Sequence, residues 1–135
     1  MGDEPLRGLG AFSVVNLIGR SEQFTQEVRP LVGGLTAPKA KVASYLRGGH
    51  MAAAWMEHTR DLLGGESGQK FGVPDGSAEI TDGTYIWRAD TAEYVEHYSV
   101  ALPEAFLAHA EALDWTPPLR SDERKREIEL EMRRR

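Results

Sequence analysis

The densest group of side chains able to do chemistry is His58, Arg60 and Asp61, which follows an apolar run. An imidazole near a carboxylate can work as a general base, and a guanidinium can hold an anion. A small enzyme would have its site here, over residues 58–61, with His58 and Asp61 as its catalytic pair. The plainer reading is a capping or surface set. Glu93 and His97 stand four residues apart on one predicted helix, so both reach the same side of it. That spacing suits a surface pair far better than a metal site. Arg60, Glu66, Lys70, Glu93 and His97 are the residues expected to meet a binding partner, and no metal or cofactor is expected.

Other chemistries fail on spacing. The segment 64–76 (GGESGQKFGVPDG) is rich in glycine, but a phosphate loop needs G-x-x-x-x-G-K-[ST], and Gly68-Gln69-Lys70-Phe71 lacks that order and the hydroxyl. Ser67 is no nucleophile elbow, because Gln69 stands where G-x-S-x-G needs glycine. None of His50, His58, His97 and His109 belongs to an H-E-x-x-H pair. With no cysteine, disulfides, thiolate catalysis and cysteine zinc sites are excluded.

The elements that would position these groups follow from periodicity. Asp82-Gly83 predicts a β-hairpin over 77–88 with a two-residue turn, Thr81 facing Thr84 and Ile80 facing Tyr85. Alternation then puts Ala78, Ile80, Tyr85 and Trp87 on one inner face. Asp82 is read as a turn residue rather than a catalytic carboxylate. Phe24, Val28 and Leu31 share one face of a helix starting near Ser21, which Pro30 shortens. Thr36 and Pro38 open a second helix with Val42, Tyr45 and Leu46 inward. Asp90 and Glu93 look like a capping box for a third, with Thr91, Tyr94, Val95 and Tyr98 as its stripe. Pro103 opens a fourth, with Phe106, Leu107, Ala110 and Leu113 inward. Residues 50–57 fit helix or strand by pattern. Residues 1–10 read as a loose arm, Ala11–Ile18 as a strand or short buried segment, and 64–76 as a long loop.

Charge is unevenly spread. The net charge is -5, but residues 1–119 hold 9 Lys+Arg against 16 Asp+Glu, while residues 120–135 hold 7 against 5. The acidic body disfavours nucleic acid and suits solubility or a basic partner. The tail has high helix propensity and almost no apolar face, so a solvated helix or a partner-docking segment is expected there. The start, MGDEPLRGLG, does not read as a signal peptide, and the apolar stretch after it is far short of the roughly 20 residues of a membrane span. A cytoplasmic protein without membrane contact is expected.

Tyr45-Leu46-Arg47-x-Gly49, Asp61, Thr81-Asp82-Gly83-x-x-x-Trp87, Tyr94-Val95-x-x-Tyr98 and Leu102-Pro103-x-x-Phe106 together resemble a group of small bacterial proteins common in actinomycetes, a group with no established activity. The resemblance spans about residues 39–115. It implies a strand rather than a helix over 50–57, and it associates some such proteins with immunity or partner binding. Arg88 departs from the group, where proline is frequent, and so does the charged tail.

The sequence therefore predicts an α+β fold: a small antiparallel sheet, including the 77–88 hairpin, packed against several short helices. Residues 1–20 would form an arm and short apolar segment, 21–119 a single domain, and 120–135 a charged helical tail. The expected function is a non-enzymatic, acidic binding protein with a protein partner, of the kind that occludes its partner as immunity proteins do. The alternatives are a structural or accessory subunit docked through its tail, and a small enzyme at 58–61.

Overall fold

The computed structural model describes residues 6–14, 17–65, 67–118 and 122–133. Its centre is the expected hairpin, between β5 (Glu79–Thr81) and β6 (Tyr85–Arg88). The turn is longer than predicted: Thr81 pairs with Ile86, Ile80 with Trp87 and Glu79 with Arg88. The cause is the Asp82 carboxylate. Its Oδ1 accepts the N–H groups of Thr84 (2.9 Å) and Tyr85 (2.7 Å), while Thr81 Oγ1 accepts the N–H of Gly83. Side-chain bonds of this kind stabilise a wider loop than the two-residue turn. Pairing moves by two positions along β6, which preserves the side of every residue. Ile80, Tyr85 and Trp87 therefore still face the main core, as alternation predicts.

The sheet order is β1-β6-β5-β2, with β1 at Arg7–Gly8 and β2 at His50–Ala53. Two expectations change here. The sheet is mixed rather than antiparallel, because β1 runs parallel to β6. From Leu6 onward, the stretch read as a loose arm is part of the structure. Leu6 and Leu9 are buried, and a 3-10 turn over Gly10–Ser13 buries Ala11 and Phe12.

Four helices cover the main face: α1 (Ser21–Val28), α2 (Lys39–Arg47), α3 (Thr91–Tyr98) and α4 (Glu104–Ala112). Each presents the predicted stripe, and Phe24, Val28, Val42, Tyr45, Tyr94, Val95 and Phe106 are fully buried. Edge-to-face rings join the layers, such as Phe24 with Tyr94 at 5.3 Å and Tyr85 with Phe106 at 5.2 Å. The expected caps are absent. Thr36 Oγ1 donates to Glu104 at 2.9 Å instead of capping α2, and Asp90 makes no side-chain cap for α3. A stronger partner has taken the Asp90 carboxylate.

That partner is Arg88. Its Nε and Nη2 donate to the two Asp90 oxygens at 3.0 and 2.8 Å, and Nη1 donates to the Val14 carbonyl at 3.0 Å. Thr59 Oγ1 adds a further bond to Asp90 at 2.8 Å. Both charged side chains are almost wholly buried. Gly76 lies so close that a Cβ there would stand 1.7 Å from Thr59 Oγ1. Thr59 belongs to a separate ladder of β3 (Thr59–Arg60) and β4 (Gly72–Val73). This ladder interrupts the 64–76 segment that reads as one long loop.

The tail also differs from expectation. Asp122–Arg133 forms α5, a helix as the propensity suggests, but it is not solvated on all sides. Ile128 is fully buried against Leu6, Ala52 and Ile86 on the second face of the sheet, and His50 Nε2 meets Glu129 Oε2 at 3.0 Å. One isoleucine is enough to dock the helix, because the small side chain of Ala52 leaves room for it. Ile128→Ala should cost about 2–5 kcal/mol in urea unfolding, whereas a solvated tail would show no change. Arg88→Met should cost about 3–5 kcal/mol, because the Asp90 charge would be left buried without its partner.

Candidate functional site

The residues singled out by type fall into two groups linked through Phe71, Asp61 with Lys70 and Glu93 with His97, while His58 and Arg60 stand apart in solvent. Asp61 is buried and fully engaged: Oδ1 accepts the N–H groups of Leu63 (2.9 Å) and Gly64 (3.1 Å), and Oδ2 accepts Lys70 N–H (3.0 Å) and the Tyr98 hydroxyl. It organises the loop between β3 and β4. His58 and Arg60 are exposed on either side of Thr59, and no hydrogen bond joins His58 to Asp61 among the described residues. The Lys70 ammonium lies 4.4 Å from the centre of the Tyr98 ring. Glu66 is outside the described residues.

Glu93 and His97 do meet, with 3.5 Å between His97 Nε2 and Glu93 Oε1, and Glu96 stands close enough to complete a three-ligand cluster. Arg47 already serves as its cation. The guanidinium donates to Glu93 at 2.7 Å and to Glu96 at 3.1 Å. The bond to Arg47 holds the Glu96 carboxyl below its ordinary range, and the two glutamates raise Arg47 in turn. This cluster clamps α2 to α3, and Phe71 stacks on the His97 ring at 5.5 Å.

A different feature stands out by exposure. β2 lies at the edge of the sheet, and a bulge between Met51 and Ala53 marks its pairing with β5. The chain then runs through 54–58 outside any helix or strand, and no residue there has a backbone–backbone hydrogen bond among the described residues. Large apolar side chains sit along this edge in water: Met51 is 50% exposed, Trp55 46% and Met56 89%. Met56 also holds a left-handed backbone, with φ of 51°. Non-glycine residues rarely adopt this conformation, and it recurs at ligand-binding segments.

The segment is nevertheless held in place. Trp55 Nε1 donates to Glu79 at 3.0 Å, and the Glu57 carboxylate accepts the Leu17 N–H at 3.3 Å. Gly49 permits the approach of β2 to the hairpin, since a Cβ there would stand 2.6 Å from the Ile80 side chain. Between this edge and α5 lies a cleft of about 300 Å³, with Ala52, Ala53 and Ala54 along one side, Trp55 at its end and Glu129 and Arg133 across from them. Among the described residues, the arrangement offers peptide groups without a backbone partner next to a recess with an alanine wall and a charged rim. Sequence reasoning read Trp55 and Met56 as part of an ambiguous helix or strand. Only the place of β2 in the sheet reveals their exposure.

Burial and the bond to Asp61 push the Tyr98 phenol up to about 12. The folded chain holds this proton more tightly than the unfolded chain, whose phenol titrates near about 10. The stability so contributed is complete below that pH and is lost as pH rises toward about 12. Unfolding free energy should therefore fall more steeply over this alkaline window for the native chain than for Tyr98→Phe. Equal slopes in urea titrations would detach the phenol from the loop anchor.

No helix among the described residues is long and apolar enough to cross a membrane. No family model matches the chain, and neither does a curated protein or a solved structure, so geometry alone supports a functional reading.

Proposed function

We propose that the protein is a non-enzymatic binding module that takes up an extended segment of a partner protein along β2 and residues 54–58. One observation carries this reading: an edge strand continues into residues 54–58, which belong to no helix or strand and have no backbone–backbone hydrogen bond among the described residues, flanked by exposed Met51, Trp55 and Met56. Edge strands are ordinarily protected by charge, proline or short length, because unpaired peptide groups attract another strand. An apolar edge suits strand addition, in which main-chain bonds give affinity and pockets for alternate side chains give selectivity. The cleft beside α5 is the pocket for one apolar side chain of the incoming segment.

This reading fits a protein that occludes its partner, as immunity-type proteins do. The engagement of Asp61 in loop hydrogen bonds favours it over an enzyme at 58–61, and the in-chain packing of Ile128 favours it over docking through the apolar side of the tail.

A photo-crosslinking residue at Met56, expressed in the source cells, should yield one dominant adduct with another protein. The same residue at the exposed Glu22 should not. The purified partner should protect the amides of 51–55 from hydrogen exchange, and Met51→Ser with Met56→Ser should weaken its binding about tenfold or more, or roughly 1.4 kcal/mol. Identical adducts at both positions would overturn the reading, and an adduct with a second copy of this chain would replace it with self-association.

A further inference from the structure

A second surface has a different chemistry. α4 ends in two consecutive left-handed residues, Asp114 (φ 53°) and Trp115 (φ 56°). The Trp115 N–H bonds back to the Ala110 carbonyl at 2.9 Å, which fixes the reversal. The indole is thereby turned back between α4 and α2, partly buried against the main core. It forms a shared wall between two adjoining cavities of about 280 and 180 Å³. The floor is apolar, with Ala37, Pro38, Leu107 and Ala108.

The rim is acidic. Glu104 and Glu111 border one cavity and Asp114 the other, while Lys41 is the one cation among the lining residues. Glu104 accepts the Thr36 hydroxyl, and neither Glu111 nor Asp114 has a side-chain partner among the described residues. An aromatic face between carboxylates complements a cation with an apolar stem. Guanidinium and ammonium groups are attracted to the ring, and their methylenes pack on it. The net charge of -5 adds a long-range pull on a basic ligand.

We propose that the α2–α4 groove docks a basic extended segment of a partner protein, with one Arg or Lys side chain packed on Trp115 between Glu111 and Asp114. This site shares no residue with the β2 edge, so the two readings stand or fall separately.

Calorimetric titration of the full chain with a short Arg-Gly repeat peptide at low salt should show saturable binding. A Glu-Gly repeat should show none. Trp115→Leu should weaken binding about tenfold, which corresponds to a desolvated ring contact with a cation. Glu111→Gln with Asp114→Asn should weaken it about threefold to tenfold. Asn tolerates the left-handed backbone at 114, and both positions are exposed, so this pair keeps the test decisive if Trp115→Leu does not fold.

Met51→Ser with Met56→Ser should leave the affinity unchanged. Failure to saturate would overturn the proposal. So would equal affinity in the Glu111/Asp114 variant, which would mean diffuse attraction to an acidic surface. Loss of binding in the Met51/Met56 variant would move the peptide to the β2 edge. Loss of self-association in the groove variants, seen by sedimentation, would make the occupant a second copy and overturn the proposal equally.

Discussion

The buried pair Arg88–Asp90 is the constraint on which the remaining packing depends. The guanidinium and carboxylate meet through two hydrogen bonds at the point where β6 turns into α3. Removing two charges from water costs several kcal/mol per ion, and only good geometry with every remaining group satisfied offsets that cost. Here the remaining groups recruit distant parts of the chain. The third guanidinium bond takes the Val14 carbonyl, the carboxylate takes the Thr59 hydroxyl, and the guanidinium carbon lies 5.5 Å from the centre of the Phe24 ring. The N-terminal segment, α1, β3 and the sheet therefore share one polar centre inside an otherwise apolar core. The absence of a Cβ at Gly76 lets the chain pass that centre, and its carbonyl accepts the Asp90 N–H at 2.9 Å.

Asp61 and Asp82 repeat this device in smaller form. Each buried carboxylate gathers backbone N–H groups of its own loop and one tyrosine hydroxyl from a helix: Tyr98 of α3 for Asp61, Tyr45 of α2 for Asp82 at 2.5 Å. His109 Nε2 also stands 3.1 Å from Asp82 Oδ2, within charge contact but outside hydrogen-bond geometry. A carboxylate with several such donors is held in one orientation. Loops fastened in this way hold the sheet edges at fixed distances from the helices. Rigid edges suit recognition by shape, since little order must be gained on binding.

Much of this was legible in the sequence wherever burial follows a local period. Phe24 and Val28, Val42 with Tyr45 and Leu46, and Tyr94 with Val95 announced their helices and inner faces. The hairpin faces survived a wrong turn length because the pairing moved by an even number of positions. The misreadings share one cause. Asp90, Glu93 and Thr36 have the right types and spacing for caps, but each found a partner that no local pattern encodes; Thr36 and Glu104 are 68 positions apart. β1 is two residues long and has no period to detect, and Ile128 is a lone apolar residue in a charged helix. The site was the least legible part. The polar cluster His58–Asp61 looked reactive because polar residues near an apolar run look reactive in one dimension. Trp55 and Met56 fall in the stretch whose pattern fits helix or strand, so no local signal marks them as exposed.

The exposed edge and the fixed interior are linked. A sheet of four short strands has two edges, and the chain treats them differently. The β1 edge is backed by the 3-10 turn and by the Arg88 bond to Val14. The β2 edge is supported on its face by Ile128 and at His50 by Glu129, and among the described residues no strand pairs with its outer side. Bending β2 out of the way would have been inexpensive, since bulges and prolines do so in many proteins. Instead the bulge is followed by residues held in place by Glu57 and Glu79, with Met56 kept in a left-handed conformation at almost full exposure. Two separate anchors and a strained display position are hard to explain as protection of an edge. They fit the proposed role of this edge in receiving a partner segment.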